Sequence, residues 1–102
     1  MAERSAGIGD WNSVLGFRVL GMETHAVNTA EEAERVLREL AKENCGVICL
    51  EERFAKDLGD VIARYRNALQ PAVILIPGGE GSLGIGRDQV RYAIKRAIGS
   101  DL

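Results

Sequence analysis

The sequence has 102 residues, of which 46% are hydrophobic and 27% charged, and its formal net charge is −2. Those values suit one soluble globular domain spanning 1–102 and exclude a fibrous or disordered chain. The acidic balance argues against a nucleic-acid partner, and no apolar run approaches the ~20 residues of a membrane span, so direct membrane insertion is not expected. The opening MAERSAGIGDW lacks the apolar core of a signal peptide, and a cytoplasmic location is expected.

In chain order, Arg4 to Ile8 reads as a short first strand. Asp10 follows as an N-cap whose oxygen can accept from Asn12 or Ser13, opening a helix through about Leu20. Val14, Leu15 and either Phe17 or Arg18 are expected to face the sheet, with Gly21 as the stop. Met22 to Val27 carries Glu23, Thr24 and His25, which marks a short edge strand. Thr29 and Glu32 have the spacing of a capping box, in which each satisfies the other's free backbone donor. The helix they open runs to about Glu43, with Ala33, Val36, Leu37, Leu40 and Ala41 recurring at three and four, and Asn44 ends it.

Gly46 to Leu50 is continuously apolar and predicts a strand covered on both faces. A single helix is expected from about Glu52 to Leu69, with Phe54, Leu58, Val61, Ile62, Tyr65 and Leu69 buried. Pro71 then forces Gln70 extended. Ala72 to Ile76 follows as five apolar residues between Pro71 and Pro77, predicted to be a central strand with prolines at its ends. A glycine-rich loop and an amphipathic helix over about 87–99 close the chain. Four strands alternating with four helices imply βαβ units and an open α/β three-layer sandwich with a four-stranded parallel sheet. The order 2-1-3-4 is the simplest, flavodoxin-like but lacking the fifth strand.

Cys45 and Cys49 would stand roughly 13 Å apart on a strand, too far for a disulfide, so buried reduced thiols are expected. His25 has no visible nucleophile or acid as a partner and reads as a surface or half-buried histidine. In open α/β sheets ligands bind beyond the strand carboxyl ends at the switch in strand order, here between strands 1 and 3. Gly7-Ile8-Gly9 begins like a dinucleotide fingerprint, but the third glycine would fall on Asn12. Gly81 to Gly86 is spaced like a phosphate-binding loop, but Arg87 and Asp88 stand where Lys and Ser or Thr are needed. Asp10, Glu51 and Glu52 form an acidic group at the same edge, placed as in the receiver domains of response regulators. There the third strand would need an Asp as phosphoacceptor, and this chain has Glu. No catalytic residue, metal ligand or cofactor site is therefore assigned.

What remains is a surface. Arg87, Arg91 and Lys95 lie at i, i+4 and i+8 with Arg96 beside them, opposite Val90, Ala93, Ile94, Ala97 and Ile98. That pattern fits a docking helix for an acidic or helical partner.

Together GIGDWNSVLGFRVLG, the TAEEAE helix start, GVICLEE, PAVILIPGGEGSLGIG and the closing RAIG resemble the F subunits of V-type rotary ATPases, of the bacterial or archaeal kind, over about residues 7–99. Gly78-Gly79 and Trp11 depart from the usual pattern. The resemblance implies an α/β accessory component, not an enzyme, in the central rotor stalk. It would dock on the coiled-coil D subunit of the rotor, turn inside the A3B3 ring and couple it to the membrane rotor and to proton or sodium-ion transport. Location would be cytoplasmic and peripheral to the membrane. Arg87, Val90, Arg91, Ile94 and Lys95, with the loop residues Ser82, Leu83 and Ile85, are the candidate docking residues. A stand-alone receiver-like signalling or small-ligand domain is the alternative.

Overall fold

The computed structural model of the chain describes residues 4–66, 68 and 71–77. The loop and helix expected beyond Pro77, with all eight candidate docking residues, lie outside them. Four strands, β1 (Ser5–Gly9), β2 (Glu23–Ala26), β3 (Val47–Glu51) and β4 (Ala72–Ile76), pair in parallel in the order β2-β1-β3-β4. Helix α1 (Trp11–Val19) lies on one face, and α2 (Ala30–Lys42), α3 (Glu52–Ala55) and α4 (Gly59–Arg66) on the other. The expected α/β sandwich and its strand order are both present.

The period of two along each strand sorts the core between the faces. Ala6, Ile8, Ile48 and Leu50 point toward α2, α3 and α4, where Ala33, Val36, Leu37, Leu40, Phe54, Leu58 and Val61 meet them. Cys49, Ile74 and Ile76 point the other way and cluster with Val14, Phe17 and Met22. Both thiols are free and buried, as expected.

Both ends of α1 and of α2 are satisfied locally. Asp10 accepts from the Ser13 N–H at 2.8 Å. Beyond α1, Gly21 takes φ +78°, donating to Arg18, while Met22 donates to Phe17, the paired bonds of a Schellman motif. The end of α2 repeats it with Asn44 at φ 63°, as Asn44 donates to Ala41 and Cys45 to Leu40. At the start of α2, the Glu32 N–H donates to Thr29 Oγ1 at 3.1 Å. The Glu32 carboxylate reaches back not to Thr29 N but to the Asn28 N–H, 3.1 Å away, one residue further than a regular capping box.

Three expectations are corrected. Leu15 does not face the sheet: it is exposed, and Ser13, Val14 and Phe17 form the buried face of α1. The helix from Glu52 is two helices, separated by Lys56, Asp57 and Leu58. Gly59, with its low helix propensity, becomes the first residue of α4, so Phe54 packs with α2 and β3 while α4 follows β4. Finally, β4 is the outer strand of the described sheet rather than a central one, and Leu75 is exposed. Its apolar run reflects helices on its faces, not strands on both sides.

Candidate functional site

The switch in strand order places the carboxyl ends of β1 and β3 side by side, with Ile8 opposite Leu50. Gly9, Asp10, Glu51 and Arg53 meet there. Glu51 is the last residue of β3, on the α1 face of the sheet, and only 2% exposed. Its Oε1 accepts from the Asp10 backbone N–H at 2.9 Å, and its Oε2 lies 3.3 Å from Arg53 Nε. The Nη2 of the same guanidinium lies 2.9 Å from Asp10 Oδ2, and its carbon sits 4.8 Å from the centre of the Phe54 ring. One arginine thus ties together the two acids that begin α1 and end β3. A buried carboxylate needs this partner, since an unpaired charge there costs several kcal/mol.

The two glycines of β1 explain how α1 comes so close. A Cβ on Gly7 would stand 2.3 Å from two ring carbons of Phe17, and one on Gly9 would stand 3.0 Å from Ser13 Cβ and 3.1 Å from Glu51 Oε1. Gly7-Ile8-Gly9 is therefore a bed for α1 rather than the start of a dinucleotide loop. Ser13 Oγ is buried with no hydrogen-bond partner among the described residues. Small size over Gly9 is what this position requires.

Of the acidic group expected at this edge, the structure joins Asp10 and Glu51, while Glu52 is exposed and outside the cluster. Arg53 was missed by sequence reasoning, although a cation two residues after an apolar strand's terminal carboxylate is the signal that could have found it. Among the described residues no group of three His, Cys, Asp or Glu side chains could hold a metal ion. His25 is half-buried, its Nε2 2.7 Å from Glu23 Oε2. The His25 hydrogen bond, followed by Arg4, holds the Glu23 carboxyl below its ordinary range. Glu23 stands opposite Ala6 and Arg4 precedes β1, so both lie toward the amino end of the strands, away from Asp10.

The Asp10–Glu51–Arg53 arrangement can clasp two elements together but offers no free nucleophile or proton donor. Glu51→Ala is expected to lower stability by about 2 kcal/mol, because it leaves the Asp10 N–H and Arg53 without their partner. Glu51→Gln keeps the oxygen facing Asp10 N and is expected to lose clearly less. Urea denaturation of both variants checks this, and equal losses would show that charge rather than the backbone hydrogen bond decides.

Comparison with known proteins bears directly on such a closed site. The family model described as ATP synthase (F/14-kDa) subunit matches residues 6–94. The chain belongs to the family of ATP synthase F subunits. It is 43% identical over 97 residues to the F subunit of the V-type ATP synthase of Fusobacterium nucleatum, covering 95% of this chain and 92% of that one. Its identity to the corresponding V-type ATP synthase F subunit of Clostridium perfringens is 35%, over 100% of this chain and 97% of the other. An archaeal relative, the A-type ATP synthase F subunit of Methanothermobacter thermautotrophicus, is 32% identical over 100% of this chain and 98% of its own. As a member of this family the chain is an accessory component of the complex and not a catalytic one. No helix among the described residues is long and apolar enough to cross a membrane.

Proposed function

We propose that this F subunit is a component of the central rotor stalk of its ATP synthase complex. It docks on the coiled-coil D subunit of the rotor and helps couple ATP hydrolysis or synthesis in the A3B3 ring to ion movement, on the cytoplasmic side and peripheral to the membrane. The observation that carries this reading is the ion-paired switch point: where an α/β sheet of this order would hold a ligand, Arg53 already pairs with both Asp10 and Glu51. Contact rather than chemistry is then the protein's task. Family membership supports partners within an ATP synthase complex, and the sequence beyond Pro77 supplies the docking residues. Val90 and Ile94 would give the apolar contact, Arg87, Arg91 and Lys95 the charge, and Ser82, Leu83 and Ile85 the loop.

The test is a binding titration of the full chain against the D subunit. Arg91→Glu combined with Ile94→Ala is expected to weaken binding by at least about tenfold, because a basic contact is reversed and an apolar one truncated. Unchanged affinity would overturn the assignment of these residues. No binding by the wild-type chain would overturn docking on the coiled-coil partner itself. A receiver-like role is checked in parallel with Mg²⁺ and a small phosphodonor, where no phosphorylation of the chain is expected.

A further inference from the structure

Four large apolar side chains are exposed among the described residues, and three of them, Trp11 at 61%, Leu15 at 44% and Val19 at 68%, lie on α1. They recur at i, i+4 and i+8, which places them in one row about 12 Å long. Arg18 stands beside the row, its guanidinium carbon 5.8 Å from the centre of the Trp11 ring. It is the only charged residue in α1. The outer side of α2 is of the opposite kind, with Arg35 paired to Glu39 and Arg38 to Glu34. A helix apolar on both sides is one meant to be covered on both sides, and the sheet covers only one side of α1.

We propose that the outer face of α1 is a second docking surface, and that its occupant is an acidic amphipathic helix of the coiled-coil partner. The inference rests on the reading that this protein docks on such a partner. Charge selects the occupant. Arg18 is a lone cation beside an apolar row with no carboxylate on its own helix, so the complementary helix brings apolar side chains onto Leu15 and Val19 and a carboxylate to Arg18. This chain's own 87–99 segment is a poor match, because Arg87, Arg91, Lys95 and Arg96 would add cations to Arg18 against the single acid Asp88. Area argues against a second copy. The three side chains offer on the order of 300 Å², whereas a stable pair buries about 800 Å² on each partner. A strip of this size works as one part of a composite contact whose other part lies elsewhere on the chain. Trp and Arg are also the residue types that most often dominate such contacts.

The experiment uses the full chain and the coiled-coil partner prepared without tryptophan. Trp11 is the chain's only tryptophan, so its emission reports on this face alone. Binding is expected to shift that emission to shorter wavelength. Leu15→Glu is expected to weaken affinity about 30-fold and Arg18→Glu about tenfold, with thermal midpoints unchanged because both residues are exposed. Reversing the facing partner carboxylate to lysine is expected to restore binding of Arg18→Glu. If the wild-type chain binds the coiled-coil partner but neither the emission nor the Leu15→Glu affinity changes, the α1 surface is wrong and docking through residues 82–95 stands. If the wild-type chain does not bind, the docking reading fails first. Self-association of the wild-type chain that Leu15→Glu abolishes, with affinity for the coiled-coil partner unaltered, would overturn the proposal in favour of a second copy.

Discussion

Gly7→Ala is expected to destabilise the protein by more than about 3 kcal/mol, above the usual range for an overpacked core. The added methyl would stand 2.3 Å from two carbons of the Phe17 ring and 2.8 Å from its Cβ. Neither neighbour can give way easily. Gly7 lies on β1, which pairs with strands on both sides, and Phe17 is fully buried on a helix capped at both ends. Phe17→Ala alone is expected to cost about 3–5 kcal/mol through the cavity it leaves. The informative measurement is the double variant. With the ring gone, the Gly7→Ala methyl occupies part of the vacated space, so the two losses should fall short of additivity by about 1–3 kcal/mol. Strictly additive urea-denaturation energies would mean that the glycine is needed for some reason other than the close approach of α1.

The second large effect concerns Cys49, between the sheet and its α1-side cluster. Burial pushes its thiol up from an ordinary 9.0 to about 12. At pH 8 the native thiolate fraction is then lower by about three orders of magnitude than in the unfolded chain. Thiol-reactive reagents should therefore modify Cys49 only through unfolding, at a rate that rises with urea. The sign of the pH effect follows from the same shift. A thiol whose folded value is raised contributes its full stability below the unfolded value of 9.0 and loses it as pH climbs toward the folded value. Stability should fall by about 1.4 kcal/mol per pH unit across that window. Cys49→Ala should remove this slope while leaving that of other titrating groups. An alanine variant with an unchanged slope between about pH 9 and 10 would contradict the assignment to Cys49.

Much of the architecture was legible because hydrophobic period and helix punctuation agreed with one another. Asp10, Gly21, Thr29 and Asn44 bound their helices where the sequence placed them, and strands 1 and 3 shifted by a single residue at each end. The errors have physical causes. Leu15 outranks Ser13 on any hydrophobic scale, but the inner side of α1 was selected by room above Gly7 and Gly9, where a small residue and one ring fit. No sequence pattern states that distance. The stripe through Phe54, Leu58, Val61 and Tyr65 is continuous on a helical wheel, so the break before Gly59 was hidden from periodicity. β4 looked central because apolarity reports cover on the faces and is silent about neighbours in the sheet. At the candidate site, Asp10 and Glu51 were visible as acids, whereas Arg53, which pairs with both, was visible only once the strand ends stood together. The family was legible from the order of short motifs spread along the chain, none of which is informative alone.

The outer position of β4 in the described sheet has a mechanical consequence. The strand lies parallel to β3 in an unbroken register from Val47 opposite Ala72 to Glu51 opposite Ile76, and the chain continues past Pro77 from the same end of the sheet as Asp10 and Glu51. A pull on that continuation directed along the strand meets the whole ladder at once, in shear. A pull directed sideways would open the pairs one after another. The direction in which the last described strand is tugged therefore decides whether the described sheet resists as a block or unzips.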